Sequence, residues 1–258
     1  MNNISSKAQI GLNVRFGSNV VIGDYTVIQD NVQIGNNTMI DNTVIGQDTV
    51  VESNCSLGYS NASAWISREL ESGEIKLDDL VIGNNCLIRE GSTIYMGSKL
   101  GNSVKINHKA LIRENSIIGD YSSIGSLTEL EGNLTIGEHC SIHSQNHICS
   151  NTTIQDYVFI APFCITTNGN PMTFFRPRLY QYKGPEIGAF IESGCQIAVN
   201  VVIYPRIRIA HECIIASSSV VTESFEALSI ISGCPAKKVG EVKDIYRLPV
   251  EIREKIGI

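Results

Sequence analysis

The side chains best suited to proton transfer in this sequence of 258 residues are two histidines, His108 and His143, and one glutamate, Glu131. An imidazole with an ordinary pKa near 6.5 takes up and releases a proton around neutrality, so His108 is the first candidate for a general base. Glu131 could accept a hydrogen bond from an amine, or hold His143 in one tautomer. These residues predict acid–base chemistry; the alternatives are surface histidines and a solvated turn carboxylate.

A second group of side chains is suited to binding anions. Arg113 carries a planar guanidinium that can hold a pyrophosphate through two hydrogen bonds, although it could equally pair with Glu114 of another subunit. Lys237 and Lys238 place two positive charges together on a chain of net charge −6, which favours an anionic ligand; the alternative is that both lie in solvent. We expect no metal, because no carboxylate or thiol is expected to converge on a histidine.

A repeat of six residues organises the elements that must position these side chains. Every sixth residue is large and aliphatic in a central series of fourteen: Ile82, Ile88, Ile94, Leu100, Ile106, Ile112, Ile118, Ile124, Leu130, Ile136, Ile142, Ile148, Ile154 and Ile160. One series precedes it (Ile10, Phe16, Ile22, Ile28, Ile34, Ile40, Ile45, Val51, Leu57) and another follows it (Ile191, Ile197, Ile203, Ile209, Ile215, Val221). Neither a helix nor a simple strand has this period. One short strand plus one turn fits six residues, and three such units close a triangular coil, so the repeats predict about ten coils.

The fourth residue after each aliphatic one should also point inward and be small, because three strands converge on a narrow prism. In the central series only Leu134 and Asn146 depart from this rule. Six of the eight cysteines occupy such positions: Cys55, Cys86, Cys140, Cys164, Cys195 and Cys213. We interpret these cysteines as buried reduced thiols, and Asn146 as a structural amide satisfied by adjacent backbone.

The three corners of the coil differ in the residue that follows the aliphatic one. They read Gly83, Gly101, Gly119, Gly137, Gln155 at one corner, Arg89, Asn107, Gly125, His143, Ala161 at the next, and Tyr95, Arg113, Glu131, Cys149, Thr167 at the last. Since glycine serves any tight turn, its loss from two corners is a bias that folding alone does not require. We therefore expect these two corners to face a partner.

A single prism has no concave pocket at its corners, so a cleft requires a second copy of the chain. A closed homotrimer would set one of these two corners against the other corner of the next subunit. His108 and His143 would then meet Arg113, Glu114 and Glu131 of the neighbour. The sequence thus predicts three identical clefts between subunits.

Two segments interrupt the repeats and set the predicted boundaries. We expect N-terminal coils over residues 1–58, an insertion over 59–80, central coils over 81–167, an extruded loop over 168–190, C-terminal coils with a closing motif over 191–240, and a tail over 241–258. The extruded loop carries Arg176, Arg178 and Tyr180. Long excursions from a rigid scaffold often bind ligands; the alternative is a loop that only packs against a neighbouring subunit. Pro249 and the apolar spacing after it predict a short C-terminal helix.

Composition excludes several classes of function. With 43% hydrophobic and 18% charged residues the chain is expected to fold as a soluble protein. A pI of about 5.4 has the wrong sign for binding a phosphate backbone, so we expect no nucleic-acid partner. No targeting segment and no apolar run of roughly 18 residues is present, so we expect a cytoplasmic protein with no membrane partner.

The hexapeptide pattern resembles the left-handed parallel β-helix of bacterial acyltransferases. Residues 82–168 are similar to the nucleotide-sugar N-acyltransferases, which acetylate amino groups of dTDP- or UDP-linked deoxyamino sugars for surface polysaccharides. The resemblance rests on Ile94, Tyr95, His108, Leu111, Ile112, Arg113, Glu114, Glu131, His143, Ser144, Gln145, Thr167 and Asn168. The run Gly233, Cys234, Pro235, Ala236, Lys237, Lys238 is similar to the closing motif of that family.

The resemblance implies a fold, a co-substrate and a set of site residues. The fold is all-β, a left-handed parallel β-helix with two extruded loops and a short C-terminal helical tail. The co-substrate is acyl-CoA, acetyl-CoA first of all, contacted at Val199 and Ser217, with Lys237 and Lys238 near its ribose phosphate. The implied catalytic residues are His108, Glu131 and His143, and the implied substrate-binding residues are Tyr95, Arg113, Glu114, Gln145, Asn168, Arg176, Arg178 and Tyr180.

N-acylation of a nucleotide-linked amino sugar is the expected reaction. It requires a neutral amine, a thioester within attack distance and stabilisation of the oxyanion. One alternative is O-acylation of a sugar or small hydroxyl, which demands a base because an alcohol must lose its proton on attack. The other is a β-helix scaffold without enzymatic activity, or a protein like the hexapeptide carbonic anhydrases.

Overall fold

The computed structural model describes residues 1–59, 78–169 and 185–258. Over these ranges the chain winds as a left-handed parallel β-helix, and most of its strands are two residues long. Each coil contributes one strand to each of three sheets, so six residues correspond to one strand and one turn. The predicted all-β, left-handed parallel β-helix is confirmed.

The strands are distributed over three sheets. The first sheet contains β1 (Asn3–Ile4), β4 (Val21–Ile22), β7 (Met39–Ile40), β10 (Ser56–Tyr59), β13 (Thr93–Tyr95), β16 (Leu111–Ile112), β19 (Glu129–Leu130), β22 (His147–Ile148), β25 (Ile165–Thr166), β28 (Val202–Ile203) and β31 (Val220–Val221). The second sheet contains β2 (Gln9–Ile10), β5 (Val27–Ile28), β8 (Thr43–Ile45), β11 (Leu80–Ile82), β14 (Lys99–Leu100), β17 (Ile117–Ile118), β20 (Thr135–Ile136), β23 (Thr153–Ile154), β26 (Phe190–Ile191) and β29 (Arg208–Ile209). The third sheet contains β3 (Arg15–Phe16), β6 (Gln33–Ile34), β9 (Val50–Val51), β12 (Leu87–Ile88), β15 (Lys105–Ile106), β18 (Ser123–Ile124), β21 (Ser141–Ile142), β24 (Phe159–Ile160), β27 (Gln196–Ile197), β30 (Ile214–Ile215), β32 (Ser229–Gly233) and β33 (Ala236–Glu241).

Strands of successive coils pair in parallel and in register, so equivalent side chains stack along the prism. Ile94 pairs with Ile112, and Ile112 pairs with Leu130. Every aliphatic residue of the central series is at most 3% exposed. The six-residue repeat therefore builds one continuous apolar core, in which each coil packs on its two neighbours.

The small inward positions also satisfy the backbone of the turns. Thr128 Oγ1 donates to the His143 carbonyl at 2.8 Å. Asn146 is buried as predicted: its Nδ2 donates to the same carbonyl at 2.7 Å, and its Oδ1 accepts from the Cys164 amide at 2.7 Å. Two of these bonds reach the same turn carbonyl, which the sheet ladders do not use, and the third satisfies a turn amide. This explains why polar side chains are stable inside the prism.

The third residue of most of the described turns adopts a left-handed backbone conformation. Asparagine fills this position most often, for example Asn115 and Asn133 with φ of 55° and 48°. Asparagine tolerates this conformation better than most residues because its short amide bonds to nearby backbone. Leu127 and Phe163 occupy equivalent positions with φ of 58° and 63°, where an apolar side chain gains nothing from the local backbone.

The β-helix is longer at both ends than the repeat predicts. Strand β1 lies ahead of Ile10, the first residue of the predicted series. After Val221, β32 continues the third sheet by pairing in parallel with β30, and β33 then returns antiparallel to β32. About eleven coils result, where the sequence predicted about ten.

The C-terminal tail ends in the predicted short helix. A 3₁₀ turn at Asp244–Tyr246 precedes helix α1, which spans Val250–Ile256. Arg247 Nε and Nη2 donate to Glu212 Oε2 at 3.0 and 2.8 Å, and the Glu212 carboxylate is almost fully buried. This ion pair fastens the tail to the last coils.

The ends of the two predicted interruptions belong to strands. Tyr59 ends β10, Leu80 begins β11 and Phe190 begins β26. Within the predicted insertion and loop, residues 60–77 and 170–184 lie outside the described residues. Among the described helices, none is long and apolar enough to cross a membrane.

The cysteines behave as the repeat predicts. All six inward cysteines are buried and unpaired by disulfides, and so is Cys149, whereas Cys234 is exposed. Burial raises the pKa of Cys55 to about 11 and that of Cys140 to about 12. These two thiols therefore stay neutral at physiological pH, as small core side chains should.

Candidate functional site at the corners of the β-helix

Three columns of turn residues run along the prism. The first corner joins the first sheet to the second and carries Tyr95, Arg113, Glu131, Cys149 and Thr167; the second corner joins the second sheet to the third and carries Gly83, Gly101, Gly119, Gly137 and Gln155; the third corner joins the third sheet to the first and carries Asn107, Gly125, His143 and Ala161. Successive coils are about 4.8 Å apart. Side chains at one corner are therefore close enough to contact each other.

At the first corner, Arg113 pairs with its sequence neighbour Glu114. The Nη2 and Nε atoms of Arg113 lie 2.9 and 3.2 Å from the two carboxylate oxygens of Glu114. This contact raises the pKa of Arg113 and fixes the plane of its guanidinium. The pair forms within one chain, between residues adjacent in sequence.

Glu131 is held by polar contacts on the same corner. Its Oε1 lies 3.2 Å from His147 Nε2, and its Oε2 accepts from the Ser150 amide at 3.3 Å. Ser150 Oγ in turn accepts from Asn168 Nδ2 at 2.7 Å. Within the described chain the histidine beside Glu131 is therefore His147, whereas His143 lies at the third corner; contact between Glu131 and His143 of another subunit stays a prediction.

His147 contradicts the expectation that no carboxylate or thiol converges on a histidine. Its Nδ1 lies 3.3 Å from Glu129 Oε2, while its Nε2 faces Glu131. The donor atoms of Glu131, His147 and Cys149 all lie within 4.8 Å of one another. Burial, with a contribution from the nearby Glu131 carboxylate, raises the pKa of Cys149 to about 12.

Tyr95 completes the first corner one coil before Arg113. Its ring packs edge to face against Tyr59, with ring centroids 5.1 Å apart. Burial raises the pKa of the Tyr95 phenol, so its hydroxyl remains a hydrogen-bond donor at neutral pH.

The third corner exposes a different set of side chains. His108, His143 and Gln145 are all exposed. Leu127 and Phe163 flank them and are 55% and 50% exposed. The His143 ring also packs edge to face against Phe159, with centroids 4.9 Å apart. This corner therefore combines imidazoles with apolar side chains that the chain itself leaves uncovered.

The structure thus divides the candidate residues between two corners. Tyr95, Arg113, Glu114, Glu131 and Asn168 share the first corner, whereas His108, His143 and Gln145 share the third. Within the described residues the two sets therefore lie on different corners of the prism.

The residues proposed to contact the co-substrate lie further along. Val199 and Ser217 are exposed on the third corner, at the turn position that His108 occupies in an earlier coil. Lys237 and Lys238 lie on β33 and pair with Glu223 at 2.6 Å and with Glu241 at 3.1 Å. Both lysines are partly exposed, so neither carboxylate pair shields them from an incoming anion.

Three predicted substrate-binding residues, Arg176, Arg178 and Tyr180, lie outside the described residues. The structure adds side chains that the sequence interpretation missed. His147, Glu129 and Cys149 were not recognised as a cluster, although Glu129 precedes His147, and Glu131 precedes Cys149, by one coil of 18 residues. The same spacing marks Tyr121, His139 and Tyr157, whose rings stack with centroids 4.9 and 4.8 Å apart at the second corner.

Comparison with known proteins adds structural similarities only. No protein-family model and no curated protein sequence matches this chain. A UDP-N-acetylglucosamine acyltransferase from Bacteroides fragilis is 18% identical, covering 99% of this chain and 80% of its own, with a TM-score of 0.48. A hexapeptide-repeat acetyltransferase from Vibrio cholerae, solved with acetyl-CoA, is 23% identical over 49% of this chain and 71% of its own, with a TM-score of 0.43.

An N-acyltransferase from Bacillus cereus, solved with dTDP-4-amino-4,6-dideoxyglucose and coenzyme A, is 19% identical over 82% of this chain and 88% of its own, with a TM-score of 0.31. At such identities the similarity concerns the fold, and no activity of this chain follows from it. By architecture, this protein is a left-handed parallel β-helix built from hexapeptide repeats.

Proposed function

We propose that this protein is an acyl-CoA-dependent N-acyltransferase that acts on the amino group of a dTDP- or UDP-linked deoxyamino sugar, with acetyl-CoA as the preferred donor. The third corner is the observation that carries the proposal. There, His108, Val199 and Ser217 occupy equivalent turn positions and form one outward column. Val199 and Ser217 follow His108 by four and five coils, roughly 19 and 24 Å along the prism. An extended acyl-CoA fits this length with its thioester near the histidine.

The second wall of this groove is proposed to come from another copy of the chain in a homotrimer. Leu127 and Phe163 project from the third corner at backbone positions where asparagine is preferred, and both are half exposed. Apolar side chains in that setting are stabilised when a neighbour covers them. The neighbour's first corner would supply Arg113, Glu114 and Glu131.

In this arrangement each polar side chain has a defined role. The neutral sugar amine attacks the thioester carbonyl, the C–N bond forms, and the CoA thiolate leaves. His108 removes the proton that the nitrogen loses, and Glu131 accepts a hydrogen bond from the amine, which orients its lone pair. Arg113 binds the pyrophosphate of the nucleotide, while Tyr95, Gln145 and Asn168 donate hydrogen bonds to the sugar.

The closing hairpin is proposed to bind the phosphate of the CoA ribose. Lys237 and Lys238 now pair with Glu223 and Glu241, and these are exposed ion pairs worth at most about 1 kcal/mol each. A phosphate dianion that binds the two ammonium groups therefore has to replace only these weak ion pairs. The reaction would take place in the cytoplasm and supply acylated sugar nucleotides for a surface polysaccharide.

The proposal is tested by incubating the purified protein with a panel of acyl-CoAs and of dTDP- and UDP-linked amino sugars, followed by mass spectrometry. The expected product carries one added acyl group on nitrogen, with release of one CoA. Acylation of hydroxyl acceptors instead would replace the proposal with O-acylation. Failure to bind CoA, together with no product from any pair, would overturn it in favour of a scaffold without enzymatic activity.

The role of His108 is tested separately by His108→Ala, with His139→Ala as the matched exposed histidine. We expect kcat to fall about 100-fold in the first variant, a size typical of a lost general base, and to stay unchanged in the second. Near-normal turnover of the His108 variant would remove His108 from the mechanism and leave N-acylation without a protein base.

The trimer is tested by Phe163→Glu and Leu127→Glu, measured by sedimentation equilibrium. The parent chain should sediment as a trimer, and each charge should weaken the association. A monomeric parent would overturn the groove between subunits.

A further inference from the structure

Three side chains of different chemistry converge on the first corner. The proposed reaction uses Glu131 alone among them and gives the cluster as a whole no role. Glu131, His147 and Cys149 present a carboxylate, an imidazole and a thiol whose donor atoms lie within 4.8 Å of one another. His147 and Cys149 flank Ile148, which points into the core, so both point outward on the same side. Glu131 lies one coil earlier, level with Cys149.

The sheet ladder fixes the backbone under this cluster. Glu129 pairs with His147, and Leu130 pairs with Ile148, in parallel register. Cys149, the residue after Ile148, is anchored to the following coil because its backbone amide donates to Thr166 Oγ1 at 2.8 Å. The three donor atoms are therefore brought together by the fold rather than by mobile loops, as a preformed ligand set requires.

Each ring nitrogen of His147 faces a carboxylate oxygen, and a bound cation would remove the repulsion that this causes for a neutral ring. Nδ1 lies 3.3 Å from Glu129 Oε2, and Nε2 lies 3.2 Å from Glu131 Oε1. A neutral imidazole donates from one nitrogen only, so when Nδ1–H bonds to Glu129, the lone pair of Nε2 faces the oxygen of Glu131. A metal ion between Nε2 and Glu131 turns this repulsion into two coordinate bonds. The resulting order of carboxylate, histidine and metal is frequent in metalloproteins.

An imidazolium bridging both glutamates would also satisfy the ring, but it gives no role to Cys149. The Cys149 side chain is buried, and its sulfur lies within 4.8 Å of the Glu131 carboxylate. A metal uses the sulfur directly. One nitrogen, one oxygen and one sulfur form a set that suits Zn²⁺, and ligand atoms around tetrahedral zinc are roughly 3.3–3.8 Å apart, so small side-chain rotations would close the site.

We propose that Glu131, His147 and Cys149 form a Zn²⁺ site, with Glu129 holding the Nδ1–H of His147 as an outer partner and the fourth position facing solvent. On binding, the thiol releases its proton to solvent and the thiolate coordinates the metal. This inference goes beyond the proposed function and stands without it, because metal binding is measured with no sugar and no acyl-CoA present.

The test is a Co²⁺ titration of the full-length, metal-free protein carrying Cys234→Ser, which removes the exposed thiol. One Co²⁺ per chain should bind, with the absorption bands of tetrahedral cobalt and a near-ultraviolet band from thiolate-to-cobalt charge transfer. Cys149→Ser should abolish the charge-transfer band. His147→Gln and Glu131→Gln should each weaken binding at least 10-fold, and Glu129→Gln about 10-fold, the size expected for an outer partner.

Two matched controls keep the result specific. His139→Gln removes an exposed histidine, and Cys140→Ser removes a buried cysteine that points inward; both should bind Co²⁺ like the parent. Zinc should also raise the melting temperature of the parent and not that of Cys149→Ser.

Several results would overturn the proposal: no charge-transfer band, a band that survives Cys149→Ser, or one metal per three chains. If circular dichroism shows that Cys149→Ser does not fold, X-ray absorption of the zinc-loaded parent replaces that variant. One sulfur ligand among nitrogen and oxygen ligands supports the site, and the absence of a sulfur ligand rejects it. Loss of stability in His147→Gln with no metal binding in the parent would identify an ion-paired cluster and nothing more.

Discussion

The second and first corners of the same prism differ in which side chains their turns can hold: glycine at the second corner and large polar residues at the first. At the second corner a Cβ built on Gly119 would lie 2.6 Å from the Gly137 carbonyl carbon and 2.7 Å from the Glu138 amide nitrogen, so only glycine fits. At the first corner Arg113 and Glu131 hold equivalent positions with full side chains. Turns with the same period therefore leave very different amounts of room above them.

A ladder of amide and carboxylate side chains accounts for the difference. At the second corner Asp120 Oδ1 accepts from the Asn102 amide and Asp156 Oδ1 accepts from the Glu138 amide, both at 2.8 Å. These side chains fold over the glycine of the preceding coil: a Cβ on Gly101 would lie 2.1 Å from Asp120 Oδ1. The glycines of this corner are thus required by packing, which corrects the view that glycine there is a mere default.

At the first corner of the central coils the ladder is reduced to Asn115, whose Nδ2 donates to Asn133 Oδ1 at 3.1 Å, and the other polar side chains contact each other. Arg113 bonds to Glu114, and Glu131 accepts from the Ser150 amide and lies 3.2 Å from His147 Nε2. The second corner is therefore closely packed against the next coil, whereas the first corner presents polar side chains.

Gly119→Ala should lower the free energy of unfolding by about 2–3 kcal/mol, because the new methyl group meets backbone that cannot move aside. Urea denaturation measures it. Arg113→Ala, which removes a much larger side chain at the first corner, should cost less than about 1 kcal/mol. Equal losses at the two corners would remove the structural distinction between them.

Arg113→Ala should instead lower kcat/KM for the sugar nucleotide about 10- to 100-fold, mainly through KM, since a bidentate phosphate contact is lost. Arg113→Lys should recover only part of the loss, because an ammonium lacks the planar fork. Lys7→Ala, which removes an exposed ion pair with Asp24, serves as the control and should leave kinetics unchanged. An Arg113→Ala enzyme as active as the parent would contradict a binding role for the first corner.

Alkaline pH should destabilise the fold through the buried thiol that follows the second corner. The pKa of Cys140 is raised to about 12 in the folded chain from an ordinary value of 9.0, so above pH 9 the folded state retains a proton that the unfolded state has lost. The free energy of unfolding should therefore fall as the pH rises from 9 towards 12, by up to about 1.4 kcal/mol per pH unit for one thiol. Urea denaturation at several pH values should show a shallower fall for Cys140→Ser, and an unchanged slope would exclude this thiol as a cause.

Asp120→Ala should lower the free energy of unfolding by about 1 kcal/mol, because the Asn102 amide loses its acceptor. Asp120→Asn keeps an oxygen in the same place and should cost less than half as much. Comparing Asp120→Ala with Asp120→Asn separates the effect of the hydrogen bond from that of the charge. An identical loss of free energy of unfolding in both variants would show that the charge of Asp120 matters more than its hydrogen bond.

Much of the fold follows from the sequence alone. The aliphatic residues at every sixth position, the small inward residues such as Thr128, and the structural role of Asn146 follow from period and side-chain size. These features are local and repeated, so each coil confirms the same rule. The ends were harder: β32 continues the third sheet without an aliphatic residue in phase, and only its pairing with β30 reveals it.

Periodicity along the chain was enough to identify which residues point inward, that three strands close each coil, and which corner each polar side chain occupies. The side-chain contacts required the folded coordinates: Glu131 lies 3.2 Å from His147 Nε2, Arg113 bonds to the adjacent Glu114, and the Cys149 sulfur lies within 4.8 Å of the Glu131 carboxylate. The physical reason is that periodicity fixes backbone position, whereas side-chain partners depend on rotamers chosen against the coils above and below.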